Sequence, residues 1–311
     1  MPDCNNEKKP KPKPIRPIVN PYLRVGRGNE FRLGCLKDRL DLRDMNIANI
    51  AKEQQSTIRQ LAKKLSSGKK SFLLSNTTTL PSNIDLRQSG NFTDIEDQRS
   101  LGSCTANAVV GLVEYLIKST GNKALDLSRI FLYKTTRNLM GDQGIGDSGA
   151  YIRDTIKALR LFGVPPEKWW PYDIVDFDDE PDAFIYAYAQ NFQAIDYLRL
   201  DQFGASNEET LNAIKQSLAD GFPSAFGFWV PDTMDQVSAD NPVIPVPTIN
   251  GRFVGGHAVV AVGYDDEKEA ILIRNSWGKD WGVEGYAWLP YEYVLKEYAF
   301  DFWTIFDNEW V

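Results

Sequence analysis

The stretch Gln98-Arg99-Ser100-Leu101-Gly102-Ser103-Cys104-Thr105-Ala106 decides the fold, because it places a cysteine where a helix begins. Ser103 is a favourable N-cap residue, and the apolar residues that follow it recur at helical spacing: Val109, Leu112, Val113, Leu116 and Ile117. The unpaired N–H groups and the dipole at a helix N-terminus stabilise a thiolate, which is the form of cysteine that attacks carbonyl carbon. Cys104 is therefore a candidate nucleophile. From this placement alone, a small buried cysteine with a structural role is the favoured alternative.

Two later segments carry groups that such a nucleophile needs. His257 is the only histidine of the chain, and it follows two glycines at the start of the apolar run 258–262. Asn275 begins the segment Asn-Ser-Trp-Gly, and an asparagine side chain can fix the tautomer and orientation of an imidazole. Taken separately, a core histidine and a β-turn with a packed aromatic residue are the structural alternatives.

The body of the chain changes character midway. Apolar periodicity and capping residues predict helices over about 36–65, 103–117, 128–139, 150–161 and 206–221. Runs rich in β-branched and aromatic residues predict strands over 222–230, 258–265, 270–277 and 285–289. This order indicates an α+β fold, with a helical lobe beside a strand-rich lobe.

Together the three segments resemble the papain family of cysteine peptidases, which includes the cathepsins. The run GGHAVVAVGYD over 255–265 is similar to the family's histidine motif, and RNSWGKDWGVEGY over 274–286 to its asparagine motif. Weaker similarities lie in SRIFLYKTTRN, GDQGIGDSGAY and VPPEKWWPYD. The resemblance spans about residues 80–311, and it implies a helical lobe and an antiparallel β-barrel-like lobe with the active-site cleft between them.

The resemblance also implies the site residues. Cys104 is the thiolate nucleophile, His257 is its acid–base partner, and Asn275 orients the imidazole under the cover of Trp277. Gln98 and the backbone N–H of Cys104 bind the oxyanion. The remaining substrate-binding residues implied by the resemblance are Gly102, Ser103, Ser148, Gly149 and Gly256. The resemblance implies no cofactor and no metal.

Some positions differ from the family pattern. Leu101 and Thr105 stand where the family has a cysteine and a tryptophan, and Ile145 stands near the place of that cysteine's disulfide partner. Gly256 replaces the Asp or Asn that often precedes the histidine. Residues 231–250 form a long loop between two predicted strands. The missing disulfide fits a reducing compartment.

Composition further limits the kinds of protein that this chain can be. The chain has 311 residues and three cysteines, an odd number that argues against a disulfide scaffold. The single histidine excludes most zinc sites. No apolar run approaches the ~20 residues that a membrane helix needs, and no signal peptide is visible. These features predict a cytoplasmic monomer that binds neither membrane nor nucleic acid.

The first 79 residues form a separate basic segment. Residues 1–80 hold 17 Lys and Arg against 7 Asp and Glu, a balance of +10, whereas the rest of the chain has a balance of −17. Opposite charges predict that this segment binds the acidic body, and a basic arm for nucleic acid is the alternative. The lysines and prolines of residues 1–21 predict disorder. We place the domain boundary just before Leu80.

The position of this segment matches that of a propeptide, although it lacks the family's usual propeptide helix pattern. We expect Arg32, Leu33, Gly34 and Cys35 to occlude the cleft, with Cys35 acting as a redox lock or only filling space. Charge complementarity predicts that acid weakens the contact. The sequence thus predicts a self-inhibited cysteine endopeptidase. The alternatives are an acyltransferase or peptide ligase that uses the same thioester, and a catalytically silent binding protein.

Overall fold

A computed structural model describes residues 22–25, 29–66, 71–74, 79–248 and 251–308 of the chain. The stretch 1–21, which is predicted to be disordered, lies outside the described residues. Within the described ranges, no helix is both long and apolar enough to cross a membrane.

The described residues form seven α-helices and eleven strands. The helices are α1 Lys52–Leu65, α2 Cys104–Ser119, α3 Arg129–Met140, α4 Ile152–Phe162, α5 Ala183–Ala189, α6 Asn207–Ala219 and α7 Glu292–Leu295. The strands are β1 Tyr22–Val25, β2 Asn29–Arg32, β3 Cys35–Leu36, β4 Asn83–Asp85, β5 Ala150–Tyr151, β6 Ala194–Arg199, β7 Ser224–Pro231, β8 Phe253–Asp265, β9 Ala270–Arg274, β10 Tyr286–Pro290 and β11 Ala299–Asn308.

Helix α2 is the centre of the helical lobe. Its first fourteen residues are all buried, in keeping with the apolar stripe read from the sequence. Helices α3 and α4 pack beside it and share one apolar cluster with it. The side chain of Ser128 accepts a hydrogen bond from Phe131 N and so caps α3. This packing fixes the N-terminus of α2, and with it the position of Cys104.

The second lobe is built on a seven-stranded antiparallel sheet. Its strand order is β10-β9-β8-β7-β11-β6, and β4 pairs with the C-terminal end of β8. The long strand β8 pairs with β7 and with β9. The fold is therefore α+β, with a helical lobe and an antiparallel sheet lobe, as predicted.

The N-terminal segment also contributes to the core of the sheet lobe. Ile58 and Ala62 of α1 are fully buried in the same apolar cluster as the strands. After α1, the carboxylate of Asp220 accepts hydrogen bonds from Ser71 Oγ at 2.6 Å, Phe72 N at 2.6 Å and Leu73 N at 3.1 Å. These contacts join the basic segment to the body through both apolar packing and buried hydrogen bonds.

Two sequence predictions about secondary structure were incomplete. The helix expected over 36–65 covers only Lys52–Leu65, and Leu36 belongs instead to strand β3. Leu40, which lies at helical spacing in the predicted helix, is 65% exposed. Strands β6 and β11 were not predicted. The residues before α1 do not form a helix because they bind to the body. This tertiary effect overrides local periodicity.

Candidate active site

The structure places Cys104 at the first residue of α2, on the boundary between the lobes. Its thiol is fully buried. Ser103, the residue before it, is also buried, and its hydroxyl pairs with Tyr172 Oη at 2.6 Å rather than capping the helix. The nucleophile candidate thus sits where the helix dipole and the first free N–H groups are directed.

His257 lies on β8 of the sheet lobe. It contacts Asn275, which is predicted to orient it, and Trp277, which is predicted to cover that contact. Its Nε2 pairs with Asn275 Oδ1 at 2.7 Å. The ring of Trp277 stacks on the imidazole with the centroids 4.5 Å apart and an interplanar angle of 28°. The other ring nitrogen, Nδ1, is buried and has no hydrogen-bond partner among the described residues. The imidazole is therefore oriented from one side while its second nitrogen stays available.

Gln98 is oriented by the asparagine segment. Its Oε1 accepts from Ser276 Oγ at 2.8 Å, and its backbone N donates to Ser276 O at 2.8 Å. These bonds turn the side-chain Nε2 toward the cleft, where it donates to Leu101 O at 2.9 Å and to Arg32 O at 3.0 Å. Ser276 is a positioning residue that the sequence did not single out, although it lies within a quoted motif.

Burial keeps both reactive groups neutral in this state. It raises the pKa of the Cys104 thiol to about 11, and backbone hydrogen bonds from Ala258, Gly34 and Thr105 oppose that rise. It lowers the pKa of His257 to about 4, and the hydrogen bond to Asn275 opposes the fall. Ala258 adjoins His257 in sequence, so its bond to the sulfur brings the two lobes' reactive residues to one place. At neutral pH this site holds a thiol and a neutral imidazole.

The N-terminal segment fills the cleft with residues 31–36, which we call the cleft-binding stretch. Phe31 stacks on Trp277 with ring centroids 5.0 Å apart. The carbonyl of Arg32 reaches Gln98, and Leu33 packs against Gly255, where an added Cβ would lie 2.9 Å from Leu33 Cδ1. The predicted inhibitory residues therefore do lie in the cleft, between the two lobes.

Gly34 makes the tightest fit of this stretch. A Cβ added to Gly34 would lie 2.1 Å from the carbonyl oxygen of Gly102, a separation that no side chain can adopt. On the opposite side, the carbonyl oxygen of Gly34 accepts from Ala150 N at 2.8 Å. Strand β3 then pairs in parallel with β5, with Cys35 opposite Ala150. Only glycine fits between the two walls at this position.

The structure changes the roles expected of two predicted wall residues. The N–H of Gly149 donates to Tyr133 Oη at 3.0 Å, so it is not the donor that faces the cleft. That donor is the N–H of Ala150, which the sequence analysis did not name. The hydroxyl of Ser148 donates to Gly149 O at 3.2 Å and braces the same loop. Gly256, on the facing wall, closely approaches the carbonyl oxygen of Cys35.

Asp147 is a further site residue that sequence reasoning missed. Its carboxylate accepts from Gly102 N at 2.8 Å, pairs with Arg32 Nε at 2.9 Å, and accepts from Tyr133 Oη. It thus fixes the loop before the nucleophile and holds the cleft-binding stretch. The available signal is its place in GDQGIGDSGAY, one of the weaker similarities to the papain family.

Cys35 belongs to the same buried apolar cluster as Cys104. It is 4% exposed, and a Cβ added to Gly227 would lie 2.9 Å from its sulfur. Burial raises the pKa of the Cys35 thiol well above its ordinary value, and Cys104 adds to that rise. Both cysteines are free thiols. Across the described residues, no group of three or more His, Cys, Asp or Glu side chains is placed to hold a metal ion.

Cys104 lies at a helix N-terminus and is hydrogen-bonded to the backbone of Ala258, next to a histidine that pairs with an asparagine on the antiparallel sheet lobe. This arrangement defines the class of papain-like cysteine hydrolases. Residues 80–296 match the family model described as papain family cysteine protease. The chain belongs to this family, and it is a cysteine peptidase.

Named relatives and solved structures agree with this assignment. The chain is 37% identical over 214 residues to an uncharacterized peptidase C1-like protein of Acanthamoeba polyphaga mimivirus, covering 67% of this chain and 68% of the relative. Cysteine proteinase 1 of Entamoeba histolytica is 29% identical, and the match covers 66% of this chain but only 62% of the relative. Xylellain, a cysteine protease from Xylella fastidiosa, superimposes with a TM-score of 0.69 at 33% identity, covering 88% of this chain and 95% of xylellain. The proform of the ragweed pollen cysteine protease Amb a 11 shares the fold, with a TM-score of 0.59 at 22% identity, covering 82% of this chain and 76% of that one.

Proposed function

We propose that the protein is an endopeptidase in which the thiolate of Cys104 attacks the substrate carbonyl, and that its own N-terminal segment holds it inactive. The observation that carries the proposal is the bond from Gln98 Nε2 to the carbonyl oxygen of Arg32. A backbone carbonyl oxygen of the chain itself thus accepts a hydrogen bond from the donor that would stabilise an oxyanion.

The chemistry follows from the groups around that carbonyl. Once the cleft opens, the Cys104 proton passes to His257 and the thiolate adds to the carbonyl carbon, while Gln98 and the Cys104 backbone N–H hold the oxyanion. His257 returns the proton to the departing amine as the C–N bond breaks. Water then attacks the thioester, passes its proton to His257, and releases the acid and the thiol.

Three features of the closed state support self-inhibition. The cleft-binding stretch covers the thiol, and burial favours the neutral forms of Cys104 and His257 over the reactive ion pair. The salt bridge between Arg32 and Asp147 ties the stretch to the loop before the nucleophile. Removal of the stretch would return water to the cleft, and the charged forms would become less costly.

The structure suggests a test that leaves the chain at full length. Truncation before Leu80 would expose the apolar surface that α1 covers, so a substitution that only displaces the stretch is cleaner. Gly34→Val places side-chain atoms against the backbone of Gly102 and should expel residues 31–36. Ala48→Val is the matched control, because Ala48 is an exposed residue of the same segment.

We expect the Gly34→Val chain to cleave a peptide library much faster than the unchanged chain and the Ala48→Val control. Adding Cys104→Ala to the Gly34→Val chain should abolish that cleavage. Equal activity of the Gly34→Val and unchanged chains would contradict self-inhibition. A Gly34→Val chain that binds peptides without cleaving them would instead favour the silent binding protein.

A further inference from the structure

Beyond the catalytic groups, the N-terminal segment inserts two carboxylates into a polar site of the peptidase body. Trp303 Nε1 donates to Asp38 Oδ2 at 3.0 Å, and the backbone N–H of Arg153 donates to Asp38 Oδ1 at 3.4 Å. Arg153 Nε donates to Asp44 Oδ1 at 2.8 Å, and Arg199 donates to Asp44 Oδ2 at 3.2 Å. We call Arg153, Arg199 and Trp303 the carboxylate site.

The carboxylate site is built on rigid elements of the body. Arg199 and Trp303 face each other on the paired strands β6 and β11. Arg153 lies in the first turn of α4, where the helix dipole also favours an anion. Trp303 is fully buried, and the side chains of Arg153 and Arg199 are 8% and 15% exposed. All three residues of the carboxylate site therefore belong to helices or strands of the body.

Displacement of the segment would affect the two arginines differently. Arg199 keeps partners on the body, because it also pairs with Asp201 at 2.9 Å and with Asp301 at 2.7 Å. Among the described residues, the hydrogen bonds of the Arg153 guanidinium go to Asp44 and to the carbonyl of Arg39, both in the segment. Displacement of the segment would therefore leave the Arg153 guanidinium unpaired. A new carboxylate could then form charge-assisted hydrogen bonds with it.

The cleft-binding stretch shows where this site lies relative to the bond that is cleaved. Phe31 stacks on Trp277 beside His257, which is the group that protonates the departing amine. The segment then runs past Gln98 and continues through Asp38 at the opposite end. The carboxylate site therefore lies on the acyl side of the cleft, which holds the residues before the cleaved bond.

Three carboxylates of the body lie in the same region, and all of them are paired. Asp201 and Asp301 both bind Arg199, and Asp301 also accepts from the backbone N–H of Asp38 at 2.6 Å. Asp154 pairs with Lys157 at 3.6 Å along α4. A cavity of about 380 Å³, lined by Asp38, Arg153 and Asp154 among others, extends from the site. There is room here for a peptide to continue past the carboxylate site.

We propose that the carboxylate site of the open enzyme binds an acidic side chain of the substrate, on the N-terminal side of the cleaved bond. The inference rests on the proposed peptidase function and names a substrate class for it. Asp38 follows Arg32 by six residues, which span at most about 20 Å of extended chain. The acidic residue thus falls about four to six positions before the cleaved bond.

Binding to an inactivated full-length chain tests this without requiring hydrolysis. The protein is the Gly34→Val/Asp38→Asn/Asp44→Asn/Cys104→Ala chain, in which the stretch is displaced and the segment's carboxylates are removed from the site. The probes are synthetic peptides in which one Glu is moved along an otherwise uncharged sequence. Matched peptides carry Gln in place of Glu. A charge-assisted hydrogen bond predicts about a tenfold to hundredfold lower Kd for Glu at the favoured position.

Two further substitutions in that chain separate the site from general charge. Arg153→Gln should bring the Kd ratio of the Glu and Gln peptides close to unity. Arg160→Gln, which removes a charge from an exposed position about two turns further along the same helix, should leave the ratio high. An undiminished ratio in the Arg153→Gln chain would assign the preference to other groups and overturn the proposal.

A second open variant covers the case in which Gly34→Val does not fold. Asp38→Asn together with Asp44→Asn in the Cys104→Ala chain removes the two carboxylates that occupy the site. Equal affinity for Glu and Gln peptides, or no binding of either peptide in both variants, overturns the proposal. A Glu preference without any peptidase activity in the Cys104-containing chain would preserve the carboxylate site and refute the proposed function instead.

Discussion

Gln98 donates its side-chain N–H to the backbone carbonyl oxygen of Arg32 at 3.0 Å, across 66 positions of sequence. The donor is held by Ser276 on one side of the cleft, and the acceptor is held by Asp147 through the Arg32 side chain. The chain thus presents its own peptide group to the donor proposed to bind a substrate's oxyanion. The closed structure is a guide to how the open cleft would receive a peptide.

Loss of the Gln98 donor should slow catalysis more than it weakens binding. In the Gly34→Val background, Gln98→Glu keeps the size of the side chain but replaces the donor with a second acceptor. We expect kcat/KM to fall roughly 100- to 1,000-fold, mainly through kcat, because the oxyanion exists only in the transition state. Steady-state kinetics with a peptide substrate provides the measurement, and an unchanged kcat would argue against the role of Gln98.

The single imidazole of the chain allows a direct pH measurement. In the closed state burial lowers the pKa of His257 to about 4, below its ordinary value of 6.5. The C–H resonances of the imidazole in the NMR spectrum of the full chain should therefore begin to shift only when the pH approaches 4. In the Gly34→Val chain, with water restored to the cleft, the titration should move upward.

The lowered pKa of His257 also determines how the stability of the closed state depends on pH. Because the closed state disfavours the imidazolium, closure is fully supported above pH 6.5 and loses support as pH falls from 6.5 through 4. This is the direction expected from the sequence, although the group responsible is the buried histidine. A titration of the closed chain centred near 6.5 would contradict this account.

Asp38 should act in the opposite direction. Burial raises the pKa of its carboxyl from 3.8 to about 6 in the closed state, and Arg153 opposes the rise. The closed state thus binds a proton more readily, so this residue supports closure at low pH and loses that support as pH rises through 6. Charge complementarity alone predicts that acid only weakens the contact.

Substitution isolates this contribution. As pH falls from about 6 to about 4, the unfolding free energy of the unchanged chain should rise relative to that of the Asp38→Asn chain. Its slope should be at most about 1.4 kcal/mol per pH unit. Urea unfolding at several pH values would measure it, and a difference that is constant over this range would show that Asp38 does not titrate there.

Helix α1 should behave as part of the sheet-lobe core. Ile58 is fully buried against it, so Ile58→Ala should lower the unfolding free energy by about 2–5 kcal/mol. Leu42→Ala, at a residue that is 75% exposed in the same segment, should change it by less than about 0.5 kcal/mol. Similar small effects of both substitutions would mean that α1 does not contribute to the core.

Local sequence features predicted the elements that carry the site. The apolar stripe after Cys104 predicted helix α2, although the Ser103 side chain does not cap it. The apolar run that follows two glycines predicted the strand that carries His257. Where the sequence failed, the cause is tertiary. Asp38 and Asp44 anchor the stretch before α1 to distant arginines and a tryptophan, and this anchoring overrides the helical periodicity seen around Leu40.

The cleft walls show the same limit. The sequence pointed to Ser148 and Gly149, but the donor that faces the cleft belongs to Ala150, because Tyr133 takes the N–H of Gly149. Asp147 could not be recognised either, since its partners lie far away in the sequence. A backbone donor has no side-chain signal, so only the folded chain reveals which N–H remains unused.

The central claim, that Cys104 performs the reaction, is tested most directly by alkylation of the open chain. The Gly34→Val protein is treated with iodoacetamide, and peptidase activity and the modified cysteines are followed together by kinetics and peptide mass spectrometry. The account predicts that activity falls in proportion to the alkylation of Cys104, and that replacing His257 by Ala slows this alkylation near neutral pH. Activity that survives complete modification of Cys104 would contradict it.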